Sequence, residues 1–184
     1  MATGRSLQLT RQIGEHLIAA KLGRMGYVAA PFAGNVPLFD LLAADQRGFT
    51  IPIQVKTING PSWQYRADTF LEIEIVDDFQ HIRGQKPLLN PDLVCIYILL
   101  RDNEQDDEFY IFSLHHLQQH TFEVYKGGKR PKNPASTHCA VWPRHLQSFR
   151  DNWQLIQRTF DKQRSEIESN ARLRSPTTQR SSRC

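Results

Sequence analysis

Hydrophobic and polar positions along the chain change period several times, and each change marks an element. Over residues 7–25, Leu9, Ile13, Leu17 and Ala20 recur at helical spacing, widened by Ile18 and Leu22, and predict an amphipathic helix. Thr3 or Ser6 is placed to cap its start, and Gly23 and Gly26 mark its end. Residues 27–32 and 38–44 read as short strands, joined through Gly34 and Asn35, with Asp40 near the start of the second. Pro37 fixes φ and donates no hydrogen bond, so it suits a strand start and keeps the chain extended as it delivers Asp40. Residues 50–58 are rich in β-branched positions and predict a third strand, with Gln46-Arg47-Gly48 as the hairpin turn. Gln54 and Lys56 leave one face of that strand; Ile53, Val55 and Thr57 leave the other.

Beyond the Asn59-Gly60-Pro61 turn, Trp63, Tyr65 and Arg66 either stack on a base and track a phosphate backbone or close the open edge of the core. Residues 70–76 alternate apolar and acidic positions, as a half-exposed strand does, which makes Glu72 and Glu74 a solvated face. Residues 77–85 read as a short helix, ended by Gly84, Pro87 and Pro91. Residues 93–100 are continuously apolar and predict a strand covered on both faces. An acidic hairpin tip over 101–108, a return strand over 109–114 and a helix over 114–125 follow. Residues 143–160 predict a last helix, with Leu146, Phe149, Trp153, Ile156 and Phe160 on one stripe as core or as a partner surface. From about Ser165 bulky apolar residues almost vanish, and a disordered end is expected.

With 184 residues, 40% hydrophobic and 23% charged, the chain fits one soluble domain with its own core. Residues 1–163 are assigned to that domain and residues 164–184 to a basic tail. No apolar run reaches bilayer-spanning length, so no membrane association is expected. The start, Met-Ala-Thr-Gly-Arg-Ser, lacks the apolar block of a signal peptide. Cys95, Cys139 and Cys184 show neither a pairing pattern nor metal-ligand spacing, so a reducing cytoplasm is the expected setting. The formal charge is +4, and the five Arg and two Glu from Arg164 onward supply a surplus of three. The folded part is therefore nearly neutral, and net charge is no argument for nucleic acid. The tail is either a loose polyanion contact or a solvated end.

Chemistry concentrates on the predicted hairpin. Once it closes, Asp40, Gln54 and Lys56 meet at one edge of a sheet, and an acid, an amide oxygen and an ammonium suit a divalent cation and its phosphate. Apolar neighbours on both sides make Asp40 a poor turn residue, because they would bury its charge unpaired. The competing reading of Lys56 is a snorkelling surface lysine. Lys126, Lys129, Arg130 and Lys132 surround Gly127 and Gly128, and this stretch is either a DNA-backbone contact or a plain surface loop. His115, His116 and His120 include a pair four apart, but no glutamate base or third ligand accompanies it, so zinc is not expected.

Val36-Pro37-Leu38-Phe39-Asp40 followed by Gln54-Val55-Lys56 resembles the active-site motif of the PD-(D/E)xK nuclease superfamily, with Gln in place of the commoner Glu as in Mrr-like enzymes. The helix Glu of that pattern corresponds to Glu15, which otherwise reads as a solvated helix residue. The resemblance implies an α/β, restriction-endonuclease-like mixed central β-sheet flanked by helices. It implies a Mg²⁺- or Mn²⁺-dependent endonuclease acting on DNA, and allows a homodimer. Asp40 is then the principal metal ligand, the Gln54 amide oxygen and Val55 carbonyl complete the protein's share, Lys56 serves the attacking water, and Glu15 assists. The alternative is a nuclease fold that no longer cuts and serves as a nucleic-acid-binding or protein-interaction module.

Overall fold

A computed structural model describes residues 4–32 and 38–174. The Asn35-Val36-Pro37 lead-in, Thr3 and residues 175–184 lie outside the described residues. The described elements are α1 (Gly4–Arg24), β1 (Val28–Pro31), β2 (Leu41–Ala44), β3 (Thr50–Ile58), β4 (Trp63–Arg66), β5 (Leu71–Val76), β6 (Phe79–Gln85), β7 (Val94–Leu99), β8 (Glu108–Ser113), α2 (Leu114–Tyr125), β9 (His138–Val141) and α3 (Gln154–Arg174). Five strands make a central sheet in the order β1-β2-β3-β7-β8. β3 and β7 run parallel and every other neighbouring pair is antiparallel, so the sheet is mixed. A parallel pair needs a long crossover, and here β4, a 3₁₀ turn over Ala67–Thr69 and the β5–β6 hairpin supply it without an α-helix. Among the described residues, no helix is long and apolar enough to cross a membrane.

Both faces of the sheet are covered, which explains why β7 and β8 are buried throughout. On one face Ile53, Val55 and Ile96 pack under Ile18 and Leu22 of α1 and under Ile156 and Phe160 of α3. On the other, Tyr97 and Phe112 pack under Trp63 and Val141 of the β4–β9 pair and under Leu117 of α2. The apolar stripe of the last helix is thus core: Ile156 and Phe160 are fully buried, and the Phe160 ring stacks on Tyr27 at 4.9 Å.

Four expectations are corrected. In α1 the buried line is Thr10, Gly14, Ile18 and Leu22, whereas Leu9 and Ile13 are exposed. Gly14 sets this orientation, because it allows the helix backbone to come close to Thr57 of β3. Residues 77–85 are not helical: Asp77 (φ 49°) and Asp78 (φ 63°) form a tight turn and β6 pairs back on β5. Asp tolerates positive φ, and two such residues in succession match the twist of a hairpin. The last helix does not begin at Pro143. Two short 3₁₀ turns, Pro143–His145 and Gln147–Phe149, come first, and Asp151 at φ 52° separates them from α3. That segment covers the edge of β8, with the Asp151 N–H on the Phe109 carbonyl at 2.9 Å and the Asn152 amide on Ile111 at 3.2 Å. Finally, residues 165–174 continue α3 rather than opening a disordered end.

Candidate functional site

Asp40 lies one residue before β2, where β3 runs on past the end of its partner. Its N–H donates to the Ile53 carbonyl at 2.9 Å, and its Oδ2 accepts the Val55 N–H at 2.8 Å, so the carboxylate extends the ladder that β2 has left. Within a strand, one residue's N–H and C=O leave on the same edge, so the Val55 carbonyl also faces the Asp40 side. Asp40 Oδ1 accepts from Arg11 Nη2 at 2.8 Å, and Arg11 Nε donates to Glu15 Oε1 at 2.9 Å. Glu15 and Asp40 are 8% and 7% exposed, and both are satisfied by one guanidinium. The hydrogen bond with Glu15 raises the Arg11 pKa most, against burial, and the charges of Asp40 and Glu15 add to it.

The helix reaches this edge because of Gly14. A Cβ there would lie 1.8 Å from Thr57 Oγ1, so glycine is what lets α1 settle on β3 with Glu15 at the sheet's edge. Gln54 and Lys56 leave the opposite face of β3 from Val55 and Thr57. Gln54 faces Cys95 across the parallel ladder, and its Oε1 takes the Cys95 thiol at 3.8 Å. Burial pushes that thiol up to about 12, while the Lys56 charge lowers it and the Asp40 charge raises it. Lys56 and Asp40 therefore both act on the same sulfur from opposite sides of the argument over its charge. Lys56 is exposed, and among the described residues its ammonium has no hydrogen bond or ion pair. Its carbonyl anchors the indole N–H of Trp63 at 3.0 Å.

Glu15, Asp40 and the Val55 backbone are thus gathered, with Gln54 and Lys56 on the adjoining stretch of β3. One cation, the Arg11 guanidinium, already lies between the two carboxylates, at hydrogen-bonding distance from each. Among the described residues no three His, Cys, Asp or Glu side chains cluster to hold a metal. The donors here are two carboxylates, an amide and a carbonyl, a set that fits magnesium, which keeps several waters and asks for few protein ligands. Sequence reasoning missed Arg11, although its i,i+4 spacing to Glu15 was a usable signal.

The candidate nucleic-acid residues are scattered by comparison. Trp63 is 3% exposed, its ring 5.2 Å from Tyr97 and 5.7 Å from Tyr110, so it is a core residue with no face free for a base. Arg66 is exposed and paired with Asp68 at 2.6 Å. Lys126 pairs with Glu123 at 2.5 Å, and Arg130 reaches the Asp77 carbonyl at 3.0 Å. The Lys129 backbone bridges to Gln80, its ammonium stands 4.2 Å over Tyr125, and burial lowers its pKa. Gly128 (φ +72°) serves this docking, since a Cβ would meet Phe79 at 2.4 Å. Lys132 is exposed.

The histidines separate as well. His116 bonds Ser113 at 2.7 Å, whereas His120 meets His145, 120's ring centroid lying 4.8 Å away. Burial lowers the pKa of both from the ordinary 6.5, helped at His120 by His145 and at His145 by Arg144. The unfolded chain therefore takes up protons first as pH falls below 6.5, and stability drops in that window. Melting temperatures from about pH 7 to about pH 5 should fall in the native protein, and His120→Gln should flatten the decline.

The fold is similar to that of a bacterial homing endonuclease. Superposed on the solved structure of I-Ssp6803I, the chain gives a TM-score of 0.50 at 16% identity, over 86% of this chain and 98% of that one. No family model and no curated protein matches the sequence.

Proposed function

We propose that the chain is a metal-dependent endonuclease that hydrolyses phosphodiester bonds in DNA, of the PD-(D/E)xK type with Gln54 in the variant position. The observation that carries this reading is the convergence of Glu15 and Asp40 on one cation position beside Gln54 and Lys56. The fold's likeness to a homing endonuclease supports it. A bound Mg²⁺ or Mn²⁺ would supply charge stabilisation at the attacked phosphate and a more acidic water. Asp40 is its principal ligand, the Gln54 amide and Val55 carbonyl are the neutral donors, and Glu15 is auxiliary. Gln54 brings no charge, so the two carboxylates provide all the negative charge at the site. Lys56, exposed and unpaired among the described residues, orients the attacking water and faces the phosphate. Lys126 and Lys132 are exposed cations suited to the DNA backbone, which they would hold without reading its sequence.

The test is metal removal. Purified protein incubated with linear, branched and single-stranded DNA should cut at least one substrate in Mn²⁺, stop in excess chelator, and resume when Mn²⁺ is restored. A second reading, binding without cutting, is favoured by one observation: both oxygens of Asp40 already have partners. Retained DNA binding with no cleavage of any substrate in Mn²⁺ would select it.

A further inference from the structure

We propose that Arg11 is a built-in competitor of the metal: its guanidinium holds the seat between Glu15 and Asp40 that a divalent cation takes, and the cation enters only by displacing it. This rests on the reading of Glu15 and Asp40 as metal ligands. The two oxygens of Asp40 are not equivalent. Oδ2 is committed to the Val55 N–H at 2.8 Å and, with it, to the register of the hairpin. Oδ1 is the oxygen that faces Arg11, at 2.8 Å from Nη2. Glu15 presents Oε1 to the same guanidinium at 2.9 Å. A cation that uses Asp40 without breaking the ladder must therefore take Oδ1, the oxygen that Arg11 binds, and it meets Glu15 across the same guanidinium.

The arrangement has a physical reason. Two nearly buried carboxylates with no cation between them would repel each other and lose hydration together. One guanidinium leaves the trio with a single negative charge, which is tolerable in the metal-free state. The Arg11 side chain is 43% exposed, so a displaced guanidinium enters water rather than the core. A divalent ion brings more charge into the same place, and the two cations cannot occupy it at once. Metal affinity is then set by the difference between the ion and the arginine, and removing the arginine raises it.

Calorimetric titration of Mn²⁺ into the full chain, the Arg11→Gln variant and the Arg11→Lys variant tests this without recourse to cleavage. Arg11→Gln should bind Mn²⁺ at least about fivefold more tightly than the native chain, in the range usual for coupled sites. Its melting temperature in chelator should fall below the native value, and Mn²⁺ should raise it by a larger increment. Arg11→Lys keeps a cation in place and should stay near native affinity, which also guards against a glutamine variant that folds poorly. Equal or weaker Mn²⁺ binding by a folded Arg11→Gln, with the native chain binding normally, overturns the competition and leaves the metal site standing. Absence of Mn²⁺ binding in all three folded proteins overturns both.

Discussion

Gly14→Ala is expected to destabilise the protein by about 1–3 kcal/mol and to draw Glu15 away from Asp40. In an open helix the same change would stabilise by about 1 kcal/mol, so the sign itself is diagnostic. A Cβ at position 14 would lie 1.8 Å from Thr57 Oγ1 and 2.8 Å from Thr57 Cβ. Rotation about χ1 moves the hydroxyl but not Cβ, which is fixed to a strand paired with Ile98 in β7. The helix has to retreat instead, and Ile18 and Leu22 on the same line lose contact with the sheet. Thr57 Oγ1 is buried without a hydrogen-bond partner among the described residues, so Thr57→Ala costs little by itself. On the Gly14→Ala background it should recover part of the loss. Urea denaturation of the native chain, both single variants and the double variant measures this coupling. A Gly14→Ala variant as stable as the native chain would mean that α1 does not approach β3 this closely.

The same contact explains what could and could not be read from the sequence. β3 was legible to the residue, since β-branched positions and a Gly turn state a strand locally and Ile53 and Val55 do go to the core. The face of α1 was not, because its large apolar residues Leu9 and Ile13 are exposed and Gly14 is the residue seated on β3. Close backbone approach favours small side chains, and their stripe is invisible to a search for large ones. The β5–β6 hairpin was missed for a related reason: its signal is the backbone conformation of Asp77 and Asp78, not their polarity. That Asp40 would meet the 54–56 stretch of β3 was legible because the hairpin brings near what is near in sequence, and the Asp40 carboxylate does bond the Val55 N–H. Arg11 binds Asp40 across 29 positions, and only the docking of α1 joins them. His145, which faces His120, was hidden for the same reason.

Asp40 and Lys56 should both be essential for cutting, yet they should part company in stability. Lys56→Ala is expected to lower metal-dependent cleavage by about 10²–10⁴-fold, the range of a lost proton-transfer or water-orienting group. Its stability should stay within about 0.5 kcal/mol of native, because the side chain is exposed and unpaired among the described residues. Asp40→Ala should lower cleavage by about 10³-fold or more, equivalent to roughly 4 kcal/mol of lost charge stabilisation. It also strips the Val55 N–H of its acceptor and Arg11 of one partner, at a cost of about 1–3 kcal/mol in stability. Asp40→Asn divides these effects: an amide oxygen can still accept the Val55 N–H, but the site loses one of its two carboxylate charges. It should therefore be nearly as inactive as Asp40→Ala and measurably more stable. Paired cleavage rates in Mn²⁺ and urea midpoints for the three variants decide the matter. Should Lys56→Ala cut at the native rate, the lysine has no part in the chemistry. If instead Asp40→Ala cuts as the native chain does, its carboxylate is only the end of a β-ladder, and the cation position beside it belongs to Arg11 alone.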